Sequence, residues 1–438
     1  MNWKLPFDIP LVTPTMGIPM GFYDALGIIV FVVHISFIYV LIGASTASVI
    51  YNIMGVFKKD KNYDKFAYAM TNPTTISENM GALWGVAPLL IISVLYTGFF
   101  YTAILKVSPH ILHIIYGNIF AFLLSYAYKF SWHKLQGSKG FHIAIGAVAV
   151  LVFYSLPPVF MSMTNLYLQP ETFSYIKDIW DIMLTPLTGF RLLNFFLTAF
   201  GFTGIFMIWY GMRLQKNGEE EIGKISVNQG KKWFMFSTPV NVAVLPLILF
   251  AFTPRIAEGL MGTIFIVLPF ITSILLTVIF LFLMLRWNKD SFTSKEVFSV
   301  AILMFAAVVL MATTRHGIRV VSFKEPLKIQ ADATKAYMDQ ALAEYKVYKE
   351  SLKHQTKLDL SDPKTLAESK GCLACHSVDT MLVGPAYKDV AKKGASKEEL
   401  VKAIKNGSKG KWGDVPMPPQ DVTDKEAQTL VNWILSQK

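Results

Sequence analysis

The sequence predicts an all-α protein in three parts: an eight-span transmembrane helical bundle (1–321), a helical stalk (322–360) and a small all-α domain (361–438). Three observations carry this. Of 438 residues 53% are hydrophobic, 33 are Phe and only 16% are charged, with a mean hydropathy of +0.43, which is the composition of a membrane-embedded chain. Eight apolar runs of bilayer-spanning length precede Val321. Beyond that point the chain turns rich in Lys, Glu and Asp, so a water-facing part follows the apolar one.

Residues 1–21 are polar and proline-bearing, with Lys4, Pro6 and Asp8, and lack the basic start and small-residue cleavage site of a secretory signal. The first apolar run, Phe22 to Met54, is too long for a signal core and spans a bilayer with residues to spare. Further spans are expected at 81–104, 111–130, 141–163, 187–212, 234–253, 260–285 and 296–313. The sixth is the weakest, because it contains Pro239 and Pro246, although membrane helices tolerate interior proline.

Charge in the loops sets the orientation. The loops after spans 1, 3, 5 and 7 hold 15 basic residues, among them Lys58, Lys134, Lys216 and Arg286; the N-terminal tail and the other outer loops hold only Lys4, Lys106, Lys177 and Arg255. By the positive-inside rule both termini lie outside. The net charge of +11 is therefore explained by loops facing the membrane's inner side, and no nucleic-acid partner is expected. The stalk, with Ala331 to Lys353 rich in good helix formers, has only Tyr337, Met338, Leu342, Tyr345 and Tyr348 as an apolar face. It is expected to lie against a partner or the chain's own membrane part, and Asp362-Pro363 ends it.

The chemistry is concentrated in Gly371-Cys372-Leu373-Ala374-Cys375-His376. A C-x-x-C-H run is the attachment site of a c-type haem: two thiols three residues apart reach the two vinyl groups of one porphyrin, and the following imidazole turns onto the iron. Cys372 and Cys375 are the only cysteines in the chain. The alternative, a redox dithiol, belongs in a βαβ context that is missing here. Methionine is one choice for the second axial ligand, and it raises the potential. Val415-Pro416-Met417-Pro418-Pro419 offers one in a loop stiffened by proline, the alternative being an ordinary packed methionine. Met381 is too close to His376 in sequence to reach the opposite face of the porphyrin.

From Lys364 to Lys438 these motifs, with Val383-Gly384-Pro385-Ala386-Tyr387, Trp412-Gly413-Asp414 and the closing Thr429-Leu430-Val431-Asn432-Trp433-Ile434-Leu435, resemble a small bacterial mono-haem class I cytochrome c. The resemblance implies one covalent haem c, ligated by His376 and Met417. It further implies a Pro385 carbonyl that accepts the axial imidazole's ring N–H, Trp412 among the cofactor-binding residues, and a last helix that crosses the first. Such haems are attached on the outer face of the bacterial inner membrane, which agrees with the loop charges.

The membrane part resembles, more loosely, subunit I of the cytochrome bd quinol oxidases. Phe31-Val32-Val33-His34-Ile35-Ser36-Phe37 with Gly43 matches the first helix of that subunit, whose histidine holds a high-spin haem; Gly85-Val86-Ala87, Trp132, Leu135 and Pro186 follow in order. An ionisable residue at bilayer depth is a functional candidate, and His34 is equally readable as a neutral histidine bonded to a neighbouring helix. The departures are substantial. Thr185 to Asn194 contains no histidine where that family has a haem ligand, and Gly81 to Phe130 contains no Asp or Glu. Instead of a Gly-Arg-Gln-Pro-Trp motif after span 8 the chain reads Thr314-Arg315-His316-Gly317-Ile318-Arg319. A degenerate oxidase subunit without an oxygen site is therefore expected, and any surviving haem b would be held by His34. Of the remaining polar groups, His110 and His113 either share a ligand or are interfacial, and His133, His142 and His354 are given no chemistry. His316 with Arg315 is read as a partner or lipid contact, and Arg191 either faces a quinone head or lipid phosphate or snorkels to the interface.

The expected function is that of a multi-pass inner-membrane cytochrome c subunit with its haem domain in the periplasm. It would relay single electrons between other subunits of a membrane or quinone-linked respiratory complex and a periplasmic carrier or oxidoreductase, rather than act as a stand-alone enzyme. The other reading is a bd-type quinol oxidase subunit I with a fused cytochrome c, retaining haem b and quinol oxidation.

Overall fold

The computed structural model describes residues 20–108, 110–286, 293–355, 360–411 and 415–438. The N-terminal tail with Lys4, the Lys289 loop, the His354 side chain and Trp412 lie outside the described residues. The chain divides into two compact units, residues 1–335 and 336–438.

The first unit opens with α1 (Met20–Lys58) and α2 (Lys61–Leu95). They pack against each other along their length. Their turn is short because Lys59 adopts φ 51° and Asp60 caps α2, its carboxylate accepting from the Asn62 N–H. A break at Tyr96 separates the short α3 (Thr97–Val107), and α4 (His110–Phe130) and α5 (Lys139–Tyr167) form the second hairpin. After the one-turn α6 (Trp180–Met183) comes a third hairpin, α7 (Pro186–Lys216) and α8 (Glu220–Phe250). Thr185 caps α7 and Pro186 occupies its first turn, where a missing N–H costs nothing. Gly204 and Gly211 of α7 meet Gly230 and Gly223 of α8 so closely that an added Cβ would lie 2.5–2.7 Å from a carbonyl oxygen of the opposite helix. This backbone-to-backbone approach is the use membrane helices make of small residues. The short α9 (Pro254–Met261), α10 (Ile264–Arg286) and α11 (Ser294–Gln355) complete the series.

Eight helices are long and apolar enough to cross a membrane, the number expected. Their limits differ from the apolar runs. The second spanning helix starts at Lys61 rather than near residue 81, and the sixth at Glu220 rather than 234. Hydropathy registers only the lipid-facing part of a helix, whereas hairpin packing continues the same helix through its polar turns. The expectation of a core without carboxylates therefore needs correction: Glu78 lies inside α2 and is 2% exposed. At the other end, α11 is one 62-residue helix that passes through residue 321 without a break.

The second unit closes with four short helices, α12 (Pro363–Ser369), α13 (Tyr387–Lys392), α14 (Lys397–Asn406) and α15 (Asp424–Leu435). Asp362 caps α12 with Pro363 in its first turn. Ser396 with Glu399 and Thr423 with Glu426 form reciprocal capping boxes at the starts of α14 and α15. Leu430, Val431 and Ile434 of α15 pack on Leu366 of α12, Tyr387 and Val390 of α13 and Leu400 and Ile404 of α14. The described residues contain no strand, only an isolated bridge between Ser408 and Met417.

Candidate functional site

Cys372 to Ala374 form a single 3-10 turn, entered through Gly371 at φ 74°. That left-handed residue lets α12 end and the chain double back at once. His376 N–H donates to the Cys372 carbonyl at 3.0 Å, which places the imidazole directly beyond the second thiol. The ring is held from three directions. Its Nδ1–H donates to the Pro385 carbonyl at 2.8 Å. Tyr387 stacks on it with centroids 5.2 Å apart and planes 15° from parallel. On a further side lies Gly384, where a Cβ would stand 2.3 Å from Cε1. An imidazole bonded through Nδ1 presents Nε2 as its free donor in one orientation, and the bond increases its basicity.

Met417 packs against the same buried core as Cys372, Leu373 and Trp433. Proline alone does not position it. Met417 N–H donates to the Ser408 carbonyl at 2.8 Å and Ser408 N–H to the Met417 carbonyl at 3.0 Å. Gly407, at φ 81°, permits that approach, since a Cβ there would be 2.6 Å from the Met417 oxygen. Burial pushes the Cys372 thiol above its usual range and the Tyr387 phenol likewise, so both are neutral near pH 7. Two thiols, an imidazole with one free nitrogen and a thioether in one small domain fit a covalently attached haem. Met381 is exposed, and Trp412 is outside the described residues.

Sequence reasoning brought Cys372, Cys375, His376, Pro385 and Met417 together. It gave no role to Tyr387, Gly384 or the Gly407-Ser408 pair; the only available signal was the glycine-bearing spacing around His376 and Met417.

In the membrane unit His34 Nδ1–H donates to the Gly81 carbonyl at 2.9 Å, and its ring lies against Gly85, where a Cβ would be 2.8 Å from Cε1. Arg315 stacks on Phe31, one turn from His34, with the guanidinium 4.6 Å from the ring centre. Arg319 lies over Tyr96 at 5.5 Å, and its Nε is buried without a partner. Arg191 donates to the Asn165 side-chain carbonyl. Its neighbour Asn194 bonds Asn241 at 2.7 Å. His110 and His113 face different protein partners: the first is 3.6 Å from Asp178, the second bonds Ser155 at 2.8 Å. His316 faces Asp24 at 3.8 Å. His142 is fully buried, between Asn52 and the Tyr128 carbonyl.

A family model described as cytochrome c matches residues 361–438. The chain is 59% identical over 81 residues to cytochrome c-551 of Pseudomonas aeruginosa, covering 18% of this chain and 78% of that protein. It is 56% identical over 77 residues to cytochrome c-552 of Hydrogenobacter thermophilus, covering 17% and 79%. The bd oxidase structure from Geobacillus thermodenitrificans superposes with a TM-score of 0.57 over 76% of this chain and 98% of that one. Identity there is 12%, so what is shared is the fold. Through its C-terminal domain the chain belongs to the cytochrome c family, carrying a covalently bound haem c and transferring electrons, behind an N-terminal part with the fold of a bd oxidase subunit.

Proposed function

We propose that the protein is a membrane-anchored electron relay, passing single electrons between a membrane or quinone-linked respiratory complex and a periplasmic redox partner. Cys372 and Cys375 would carry the haem c through thioether bonds, His376 Nε2 and the Met417 thioether would hold its iron, and Pro385 would keep the imidazole in one orientation. Bound there, the haem would supply a one-electron couple; the chain's own residues set the orientation of the imidazole that would hold it. The observation carrying this reading is the anchored imidazole beside the two thiols, with Nδ1 committed to Pro385. A ligand pair filled by protein leaves no position for substrate, which supports a relay rather than a catalyst. Loop charges support an inner-membrane location with the haem domain on the periplasmic side. A tether of this kind keeps the cytochrome at high effective concentration near its donor. Pyridine haemochrome analysis of the purified full-length protein, with identification of co-purifying subunits, tests the reading. One haem c per chain is expected, and a chain without haem c would overturn it.

A second reading is favoured by one specific cluster. His34 has a free Nε2 among the described residues, and Arg315, stacked one turn away, is joined by Arg319 and Arg191, whose partners among the described residues are ring faces, tyrosines and an asparagine. Guanidinium groups so placed suit the carboxylates of a haem b. A b-type band in the reduced-minus-oxidised spectrum that disappears in His34→Ala, with the c band intact, would establish it. A spectrum without that band leaves the membrane unit as anchor and assembly surface.

A further inference from the structure

Beyond the apolar run that ends near Val321, α11 continues as helix to Gln355, and its large apolar side chains there fall in a row. Met338, Ala341, Tyr345 and Tyr348 follow one another at spacings of three, four and three residues. The same alternation reaches back through Thr334 and Ala331 to Leu327. Tyr337 borders the row on one side and Leu342 on the other. A sustained three-four spacing is the seam of a coiled coil, because it keeps one stripe of a helix facing a partner helix along its length. The stripe is exposed: Tyr345 by 59%, Leu342 by 52% and Met338 by 47%. Contiguous apolar surface on a helix outside the bilayer is a site for another chain.

Charge and the bilayer together decide which chain that is. Glu344 borders the seam on the Tyr337 side and Lys349 on the Leu342 side, in the following repeat. When two identical helices run parallel with their seams in register, those two positions face each other across the interface. Glu344 of one copy then meets Lys349 of the other, twice by symmetry. Tyr337 meets Leu342 in the same way, so this register opposes no like charges between Tyr337 and Lys349. Within its own helix Glu344 Oε1 accepts from Gln340 at 2.8 Å, which leaves Oε2 for the ammonium. The parallel arrangement follows from insertion: every copy enters the membrane in one orientation, so all stalks rise from the same face. A seam of about three heptads is short for free peptides. Here the helix is already nucleated as the continuation of a membrane span, and confinement to one bilayer raises the effective concentration of its partner.

We propose that the stalk is a dimerisation element: two copies of this chain pair through α11 as a parallel two-stranded coiled coil, with Met338, Ala341, Tyr345 and Tyr348 on the shared axis. The first helix of the haem domain, α12, begins at Pro363, eight residues after α11 ends at Gln355. Pairing therefore tethers two haem c domains to one point. It requires only that all copies share one orientation, so it is independent of the direction of electron flow and of any haem in the membrane unit.

Single-cysteine variants of the full-length protein, oxidised with copper phenanthroline in native membranes, test this. Cys372 and Cys375 are the only cysteines of the chain and belong to the haem attachment motif, so each variant adds one reactive thiol. Met338→Cys, Ala341→Cys, Tyr345→Cys and Tyr348→Cys should give disulfide-linked homodimers, since equivalent seam positions face each other at a separation that a disulfide bridges. Ala336→Cys, Ala343→Cys and Glu350→Cys, on the opposite face of the helix, should not. Unchanged haem c absorbance certifies the folding of each variant. In mild detergent, sedimentation should show Glu344→Lys lowering the dimerisation constant about tenfold, as two attractions become repulsions, and addition of Lys349→Glu restoring it. Cross-linking that is absent along the seam, or equal on both faces, overturns the proposal. So does a seam thiol that links only to a different polypeptide, which would assign the stripe to another subunit, or a dimerisation constant indifferent to Glu344→Lys.

Discussion

Replacing Gly384 with alanine perturbs the imidazole directly and separates its positioning from general stability. The new Cβ would stand 2.3 Å from Cε1 of His376, 2.7 Å from Nδ1 and 2.8 Å from Nε2. Relief to ordinary carbon contact requires a displacement of roughly 1 Å. The backbone has little freedom to supply it, since Gly384 N–H donates to the Cys375 carbonyl at 2.8 Å. The ring must then move, and a 2.8 Å bond from Nδ1 to Pro385 does not survive such a shift. Overpacking of this kind costs about 1–3 kcal/mol, lowering the melting midpoint of a domain this small by roughly 4–24 °C. Loss of the Pro385 bond weakens the imidazole as a donor and destabilises the ferric state, so the potential rises. If a bond worth ~1 kcal/mol is lost from the ferric state alone, the rise is about 40 mV. Thermal melts of the full-length protein followed by haem c absorbance, with spectroelectrochemical titration, measure both effects. Gly394→Ala is the control: its φ of 74° carries the strain of a left-handed residue, ~1 kcal/mol, but open space surrounds it. The steric argument is refuted if Gly384→Ala keeps the native potential and melts no lower than Gly394→Ala.

Met417→Ala removes the thioether and should lower the potential and abolish six-coordination; an unchanged visible spectrum would exclude Met417 as ligand. Thr423→Ala removes one half of the α15 capping box and should cost about 1 kcal/mol, read as a lower denaturation midpoint of the haem domain with an unchanged potential. The Thr423 N–H and then Lys370 hold the Glu426 carboxyl below its ordinary range. Its stabilising contribution is therefore present above the unfolded-state value and is lost as pH falls through the lower, folded-state value. Glu426→Gln should thus be less stable than the native protein near neutral pH, with the gap closing in acid; a gap independent of pH would contradict this assignment.

The sequence by itself determined what depends on residue type and short spacing. Cys372, Cys375 and His376 are adjacent in the chain, so one turn of backbone is enough to make the attachment motif, and eight apolar runs are enough to count membrane helices. The bracing of those residues was decided by chain segments far apart in sequence. Met417 is fixed by Ser408 and Gly407, and the His376 ring by Tyr387, through contacts whose sequence separations leave no periodic signal. The membrane half shows the difference most clearly. Hydropathy reads the lipid-facing stripe and stops at the first polar turn, so a second span read from residue 81 leaves Glu78 outside it. Helix pairing carries α2 back to Lys61 and buries that carboxyl against Ser125, 47 residues away. A buried polar group is stable only with a partner supplied by another helix, and only the tertiary structure names that partner.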